Sequence, residues 1–114
     1  MTKPQNEMTD LDRARAVFMK TPFAASLVGC TIEAAGPGYA RCALVLGPQH
    51  RNALGAPMGG AIFTLADFAL AVASNAGQTP AVSVTNTIEY LGGVRGSRDR
   101  ESTRLNSSHD QISY

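Results

Sequence analysis

The sequence predicts an α+β domain in which one long central helix is wrapped by other elements, a β-hairpin and a further strand among them. Three observations carry this. Residues 61–75 form a helical run that is apolar on every face and broken by a single carboxylate, Asp67; a helix apolar all round is buried all round. Residues 30–35 and 39–46 are β-prone runs flanking Gly36-Pro37-Gly38, the pattern of a hairpin. Residues 81–91 alternate: Val82, Val84, Ile88 and Tyr90 share one face, broken only by Asn86, and Ser83, Thr85, Thr87 and Glu89 share the other.

Composition bounds the function. A chain of 114 residues, 44% hydrophobic and 17% charged, makes one globular domain with one core. Its formal net charge of +1 gives no electrostatic case for nucleic acid or an anionic membrane. The central helix is short for a bilayer and carries Asp67 near its middle, which argues further against a membrane. Cys30 and Cys42 make no disulfide framework and are expected to be reduced, packing as small hydrophobes. No leader-like apolar stretch precedes them, so a cytoplasmic location is expected.

In chain order, residues 1–8 are polar and expected to fray. Thr9 caps a helix from Asp10 to about Lys20, with Asp10 and Asp12 in the first turn, where the helix dipole favours them. Leu11, Ala14 and Phe18 share its core-facing side, with Val17 beside them. Thr21-Pro22 opens a short helical turn over 23–28, which Gly29 ends. The hairpin follows, then the loop 47–57, the central helix, a stop at 77–80, and the alternating strand 81–91. There is no internal repeat.

Past Gly96 the pattern stops. The run 99–109 resembles the one-frame translation of a short-read sequencing adapter, differing only by Glu101 where that translation has lysine. The expected organisation is therefore a C-terminally truncated domain over 1–98 and a non-native tail over 99–114. No function is taken from Arg100, Arg104 or His109.

Chemistry concentrates between His50 and Asn75. Amides at Gly59 and Gly60 open the central helix, unpaired within it and at the positive end of its dipole. Glycine also lets a ligand approach the backbone closely. Asp67 lies seven residues past Gly60, about 10 Å further along the axis at 1.5 Å per residue. One helix cannot easily bring both groups to one carbonyl; two antiparallel helices of a two-fold dimer can. On residues alone, Asp67 is as readily a buried aspartate satisfied by Thr64 or Ser83 as a catalytic one. Asn52 is more readily a turn residue, Ser83 a structural strand residue, and His50 a solvated loop histidine.

The series His50-x-Asn52-x-x-Gly55-x-x-Met58-Gly59-Gly60-x-x-x-x-Leu65-Ala66-Asp67, followed by Val82-Ser83-Val84, resembles the hotdog-fold acyl-CoA thioesterases of the phenylacetate-pathway (PaaI-like) type. The resemblance implies a hotdog fold, here incomplete, and homodimers or homotetramers with active sites at the dimer interface. It implies hydrolysis of an acyl-CoA to free acid and CoA without metal or organic cofactor. By match to the motif, Asp67 would be the catalytic general base or nucleophile. The Gly59 amide would polarise the thioester carbonyl, and Asn52 would position carbonyl or water. Ser83, Met58, Gly60 and His50 would be substrate-binding, Ser83 hydrogen-bonding near Asp67. Many relatives have a histidine immediately before the glycine pair; Met58 stands there and cannot donate a hydrogen bond.

Two other readings remain. One is a non-catalytic acyl-CoA-binding module, which Met58 favours. The other is a hotdog dehydratase or hydratase, for which His50 lacks its expected partner. The three strand runs do not suffice to enclose the helix, and a tail without alternation is not expected to add a strand. The truncated chain is therefore expected to be inactive and prone to association.

Overall fold

Thr9 starts the first helix, α1 (Asp10–Phe18), with a reciprocal cap: its Oγ1 accepts from the Asp12 amide at 3.0 Å, and the Asp12 carboxylate accepts from the Thr9 amide at 3.2 Å. Ala14 is buried, Leu11 and Phe18 pack at the margin of the core, and Val17 faces solvent. Arg15 fastens α1 to the sheet, donating from Nε and Nη2 to the Ile32 carbonyl at 3.0 and 2.8 Å. A π-helical turn, Pro22–Val28, follows and ends at Gly29 with φ 94°, where glycine carries no Cβ penalty. The computed structural model describes residues 8–75, 82–90, 100–106 and 111–113. Residues 1–7 of the segment 1–8 expected to fray, and the helix stop at 77–80, lie outside them.

The hairpin forms as β1 (Thr31–Gly36) and β2 (Tyr39–Val45), antiparallel from Thr31↔Ala43 to Gly36↔Tyr39. Pro37 and Gly38 make the turn, Gly38 at φ 70°. The register shifts between Ile32 and Ala34, a bulge at Glu33. The inner face presents Cys30, Ile32, Ala40, Cys42 and Leu44 to the long helix α2 (Gly59–Asn75), which answers with Leu65, Phe68, Ala69, Val72 and Ala73. Both cysteines are free and buried, in keeping with the expected packing role.

Three expectations need correction. First, α2, left unenclosed as the few strand runs implied, does not bury Asp67. One face is buried on the sheet, while Phe63, Thr64, Leu70 and Ala71 are half-buried and Asp67 is exposed. Second, residues 82–90 pair with no strand among the described residues and lie against α2 instead. Of their apolar set, only Ile88 is half-buried; Val82 and Val84 are 91% and 95% exposed. A strand needs a neighbouring edge, and both edges of β2 are taken, one by β1 and the other by a segment beyond Gly96.

That segment is the third correction. Arg100–Asn106 forms β3, antiparallel to β2 from Tyr39↔Asn106 to Val45↔Arg100, and Gln111–Ser113 forms β4 beside it. The sheet order is β1-β2-β3-β4. Strand pairing runs through backbone N–H and C=O groups, so a run without period-2 alternation still pairs when an open edge lies alongside.

Candidate active site

The loop before α2 is built on backbone hydrogen bonds. Met58 N–H donates to the His50 carbonyl at 2.7 Å, and Asn52 N–H to the Ala56 carbonyl at 2.8 Å. The Asn52 carboxamide oxygen accepts from Leu54 and Ala56 amides at 2.9 and 3.1 Å, an Asx-type turn. Asn52 thus holds its own loop with its oxygen and keeps its Nδ2 group as the remaining donor. Gly55, at φ 82°, closes the turn.

His50 is neither solvated nor facing a cleft. It is 5% exposed, the only polar residue in the buried set among the described residues. Nδ1 accepts from the Gly47 amide at 2.8 Å, so the ring proton sits on Nε2, which donates to the Val28 carbonyl at 2.6 Å. Its ring is committed to backbone groups of the loop and the π-helical turn.

Met58 is exposed, and its carbonyl begins α2 by accepting from the Ala61 and Ile62 amides at 3.0 and 3.4 Å. The Gly59 and Gly60 amides precede the first intrahelical donor, the orphan positions of a helix start. A Cβ on Gly60 would meet nothing within 4 Å, so the approach to it is open. A Cβ on Gly59 would come within 3.2 Å of the Tyr90 ring, whose hydroxyl donates to the Gly59 carbonyl at 2.8 Å.

Asp67 opens into a cleft of about 430 Å³ between α2 and residues 82–86. Leu70, Ser74, Ser83 and Asn86 share its walls. A smaller apolar recess adjoins it, lined by Phe63, Ala66, Leu70 and Ile88 together with Asp67 and Asn86. The Asp67 carboxylate accepts from Asn86 Nδ2 at 3.4 Å. Ser83 lines the same cleft, but the side chain that bonds Asp67 is Asn86. Sequence reasoning did not select Asn86 or Tyr90 as site residues, although Asn86 is the polar break in the 81–91 alternation. Gly60 and Asp67 are seven residues apart and so on one face of α2, two turns apart. Within one chain, the carboxylate and the free amides do not converge.

Comparison with known proteins places this geometry. A point-mutant structure of the phenylacetic acid degradation protein PaaI from Thermus thermophilus superposes with a TM-score of 0.65 at 31% identity, over 73% of this chain and 70% of that one. The chain belongs to the PaaI-like hotdog-fold thioesterase family. Mouse thioesterase superfamily member 2 shares the fold, with TM-score 0.63 at 19% identity over 92% of this chain and 91% of its own. A "Putative esterase" of Archaeoglobus fulgidus is 32% identical over 81 residues, 71% of this chain. The chain spans about half, 53%, of that relative's length. No protein-family model matches the chain. The fold is therefore a partial hotdog: a long helix laid across an antiparallel sheet. No helix among the described residues is long and apolar enough to cross a membrane.

Proposed function

We propose that the chain hydrolyses acyl-CoA thioesters to a free acid and CoA, as a two-fold homodimer in the cytoplasm that can pair further into a homotetramer. The observation that carries the reading is the pairing of free amides at the α2 start with a cleft-facing carboxylate two turns along the same face. A second copy of α2, antiparallel to the first, brings Gly59 of one protomer opposite Asp67 of the other. The unpaired, outward-facing Val82 and Val84 suit burial against such a copy.

In this arrangement the thioester carbonyl oxygen accepts from the Gly59 amide, aided by Gly60 and the helix dipole. Asn52 Nδ2 is within the same loop to orient carbonyl or water. Asp67 takes a proton from water as it attacks the carbonyl carbon, or attacks directly to form an anhydride that water then opens. The C–S bond breaks with its electron pair leaving on sulfur, and the CoA thiolate is protonated. Ser83 and Met58 contribute walls of the substrate path. His50 supports that path from behind, because its ring is taken by Val28 and Gly47. The same occupancy weighs against a hydratase or dehydratase using His50 as acid or base.

A thiol-release assay on the full chain with a panel of acyl-CoAs tests the reading. Phenylacetyl-CoA is included because the Thermus relative is a phenylacetic acid degradation protein. Because β3 covers the β2 edge that was expected to stay bare, turnover replaces the inactivity expected of the truncated chain, and Asp67→Asn should lower kcat by at least ~10², the lower end of positioned acid–base catalysis. Saturable binding without turnover would instead favour the non-catalytic acyl-CoA-binding module.

A further inference from the structure

Among the described residues, the segment 82–90 hydrogen-bonds α2 at two places, and they are at the two residues assigned to the chemistry. Asn86 Nδ2 donates to the Asp67 carboxylate at 3.4 Å, and Tyr90 Oη donates to the Gly59 carbonyl at 2.8 Å. The spacing is matched. Gly59 and Asp67 are eight residues apart, about 12 Å along a helix rising 1.5 Å per residue. Asn86 and Tyr90 are four residues apart, about 13 Å in an extended chain at ~3.3 Å per residue.

Neither contact is explained by core packing, since both side chains are exposed. Asn86 is the polar residue in an otherwise apolar alternation, and it lines both the main cleft and the apolar recess beside Asp67. Tyr90 is 53% exposed, so its ring is not held by core burial; it lies where a Cβ on Gly59 would be crowded at 3.2 Å. Glycine at 59 thus serves the neighbouring Tyr90 as well as a ligand.

We propose that Asn86 and Tyr90 are positioning residues of the candidate thioesterase site, Asn86 orienting the Asp67 carboxylate and Tyr90 fixing the helix start that presents the Gly59 and Gly60 amides. The assignment rests on the thioesterase reading above. Asn86 engages Oδ1 of Asp67, and among the described residues no donor bonds Oδ2, which can face the reacting water or carbonyl. Tyr90 bonds the carbonyl side of Gly59, leaving the amide side open. The segment thus steadies both groups of one α2, the carboxylate and the helix start, each of which serves a different shared site of the two-fold dimer.

Steady-state kinetics on the full chain decide it. Asn86→Leu and Tyr90→Phe should each lower kcat roughly threefold to tenfold, the scale of one hydrogen bond, with KM within about twofold. In an Asp67→Asn background, Asn86→Leu should cause no further loss, because it acts through that carboxylate. Tyr90→Phe should keep its full effect there, because it acts through Gly59. Glu89→Gln, on the same segment but outside both clefts, should match the parent. An active chain whose Asn86→Leu and Tyr90→Phe variants keep the parent kcat overturns this assignment alone, as does a loss confined to KM. A chain that hydrolyses no thioester overturns the thioesterase reading and the assignment with it.

Discussion

At the scale of single residues, the interior formed by the described residues is polar at one point and sulfur-bearing at two. His50 anchors the loop to the π-helical turn through Val28 and Gly47. The sequence showed a histidine in a polar loop; its burial depends on backbone groups 22 residues away, which no local pattern displays. Asn86 and Tyr90 escaped notice for the same reason, since their partners are 19 and 31 residues distant. The cysteines were legible because their neighbours are apolar and β-prone. Burial pushes the Cys30 thiol up to about 11, and Cys42 up to about 12 with Cys30 close by adding to the burial effect. Unfolded, both ionise from near 9.0. Below that pH both states are protonated and the thiols leave stability independent of pH. Between 9 and 11 to 12 the unfolded chain sheds these protons first, so stability falls as pH rises. Urea unfolding from pH 8 to 11 should show that decline, and Cys30→Ala with Cys42→Ala should flatten it while lowering stability at every pH through lost packing.

At the scale of elements, local chemistry was readable and pairing was not. The Thr9–Asp12 cap, the Pro37-Gly38 turn and the Gly29 stop each depend on residues within a few positions of one another, and each forms. The alternation of 81–91 marked a strand, but residues 82–90 form none among the described residues and meet α2 instead. Likewise the apolar circumference of α2 was plain, whereas the exposure of Asp67 depends on how far the sheet wraps. Gly29 gives a clean element-level test. Its φ of 94° disfavours any side chain, yet a Cβ there would meet only Leu44 Cδ1 at an ordinary 3.9 Å. Gly29→Ala should therefore cost about 1–2 kcal/mol from backbone conformation alone, without a steric contribution. The midpoint of urea unfolding should drop with an unchanged m value; a loss beyond about 3 kcal/mol would mean that the π-helical turn itself fails.

At the scale of the molecule, the sheet draws its third strand from the run 99–109, whose sequence resembles translated adapter, and its fourth from just beyond that run. We propose that the natural domain runs through about residue 98 and that 99–114 stands in for a strand the parent protein supplies itself. The register explains how a foreign run can serve. All seven β2 positions, Tyr39 to Val45, face partners in β3 through the backbone, and such pairing reads no particular side chain. A chain ending at Arg98 should lose that pairing. It would present a bare β2 edge next to an incompletely covered apolar helix, a template for association with other chains. Size-exclusion chromatography should then show a discrete species for 1–114 and heterogeneous, concentration-dependent assemblies for 1–98. Hydrogen exchange should show protection of Tyr39–Val45 in the first and its loss in the second. Replacing 100–106 by an unrelated β-prone run of the same length should restore both properties, because the role is carried by backbone pairing. A discrete 1–98 species with β2 still protected would show that the edge is covered without the tail and would overturn the stand-in role.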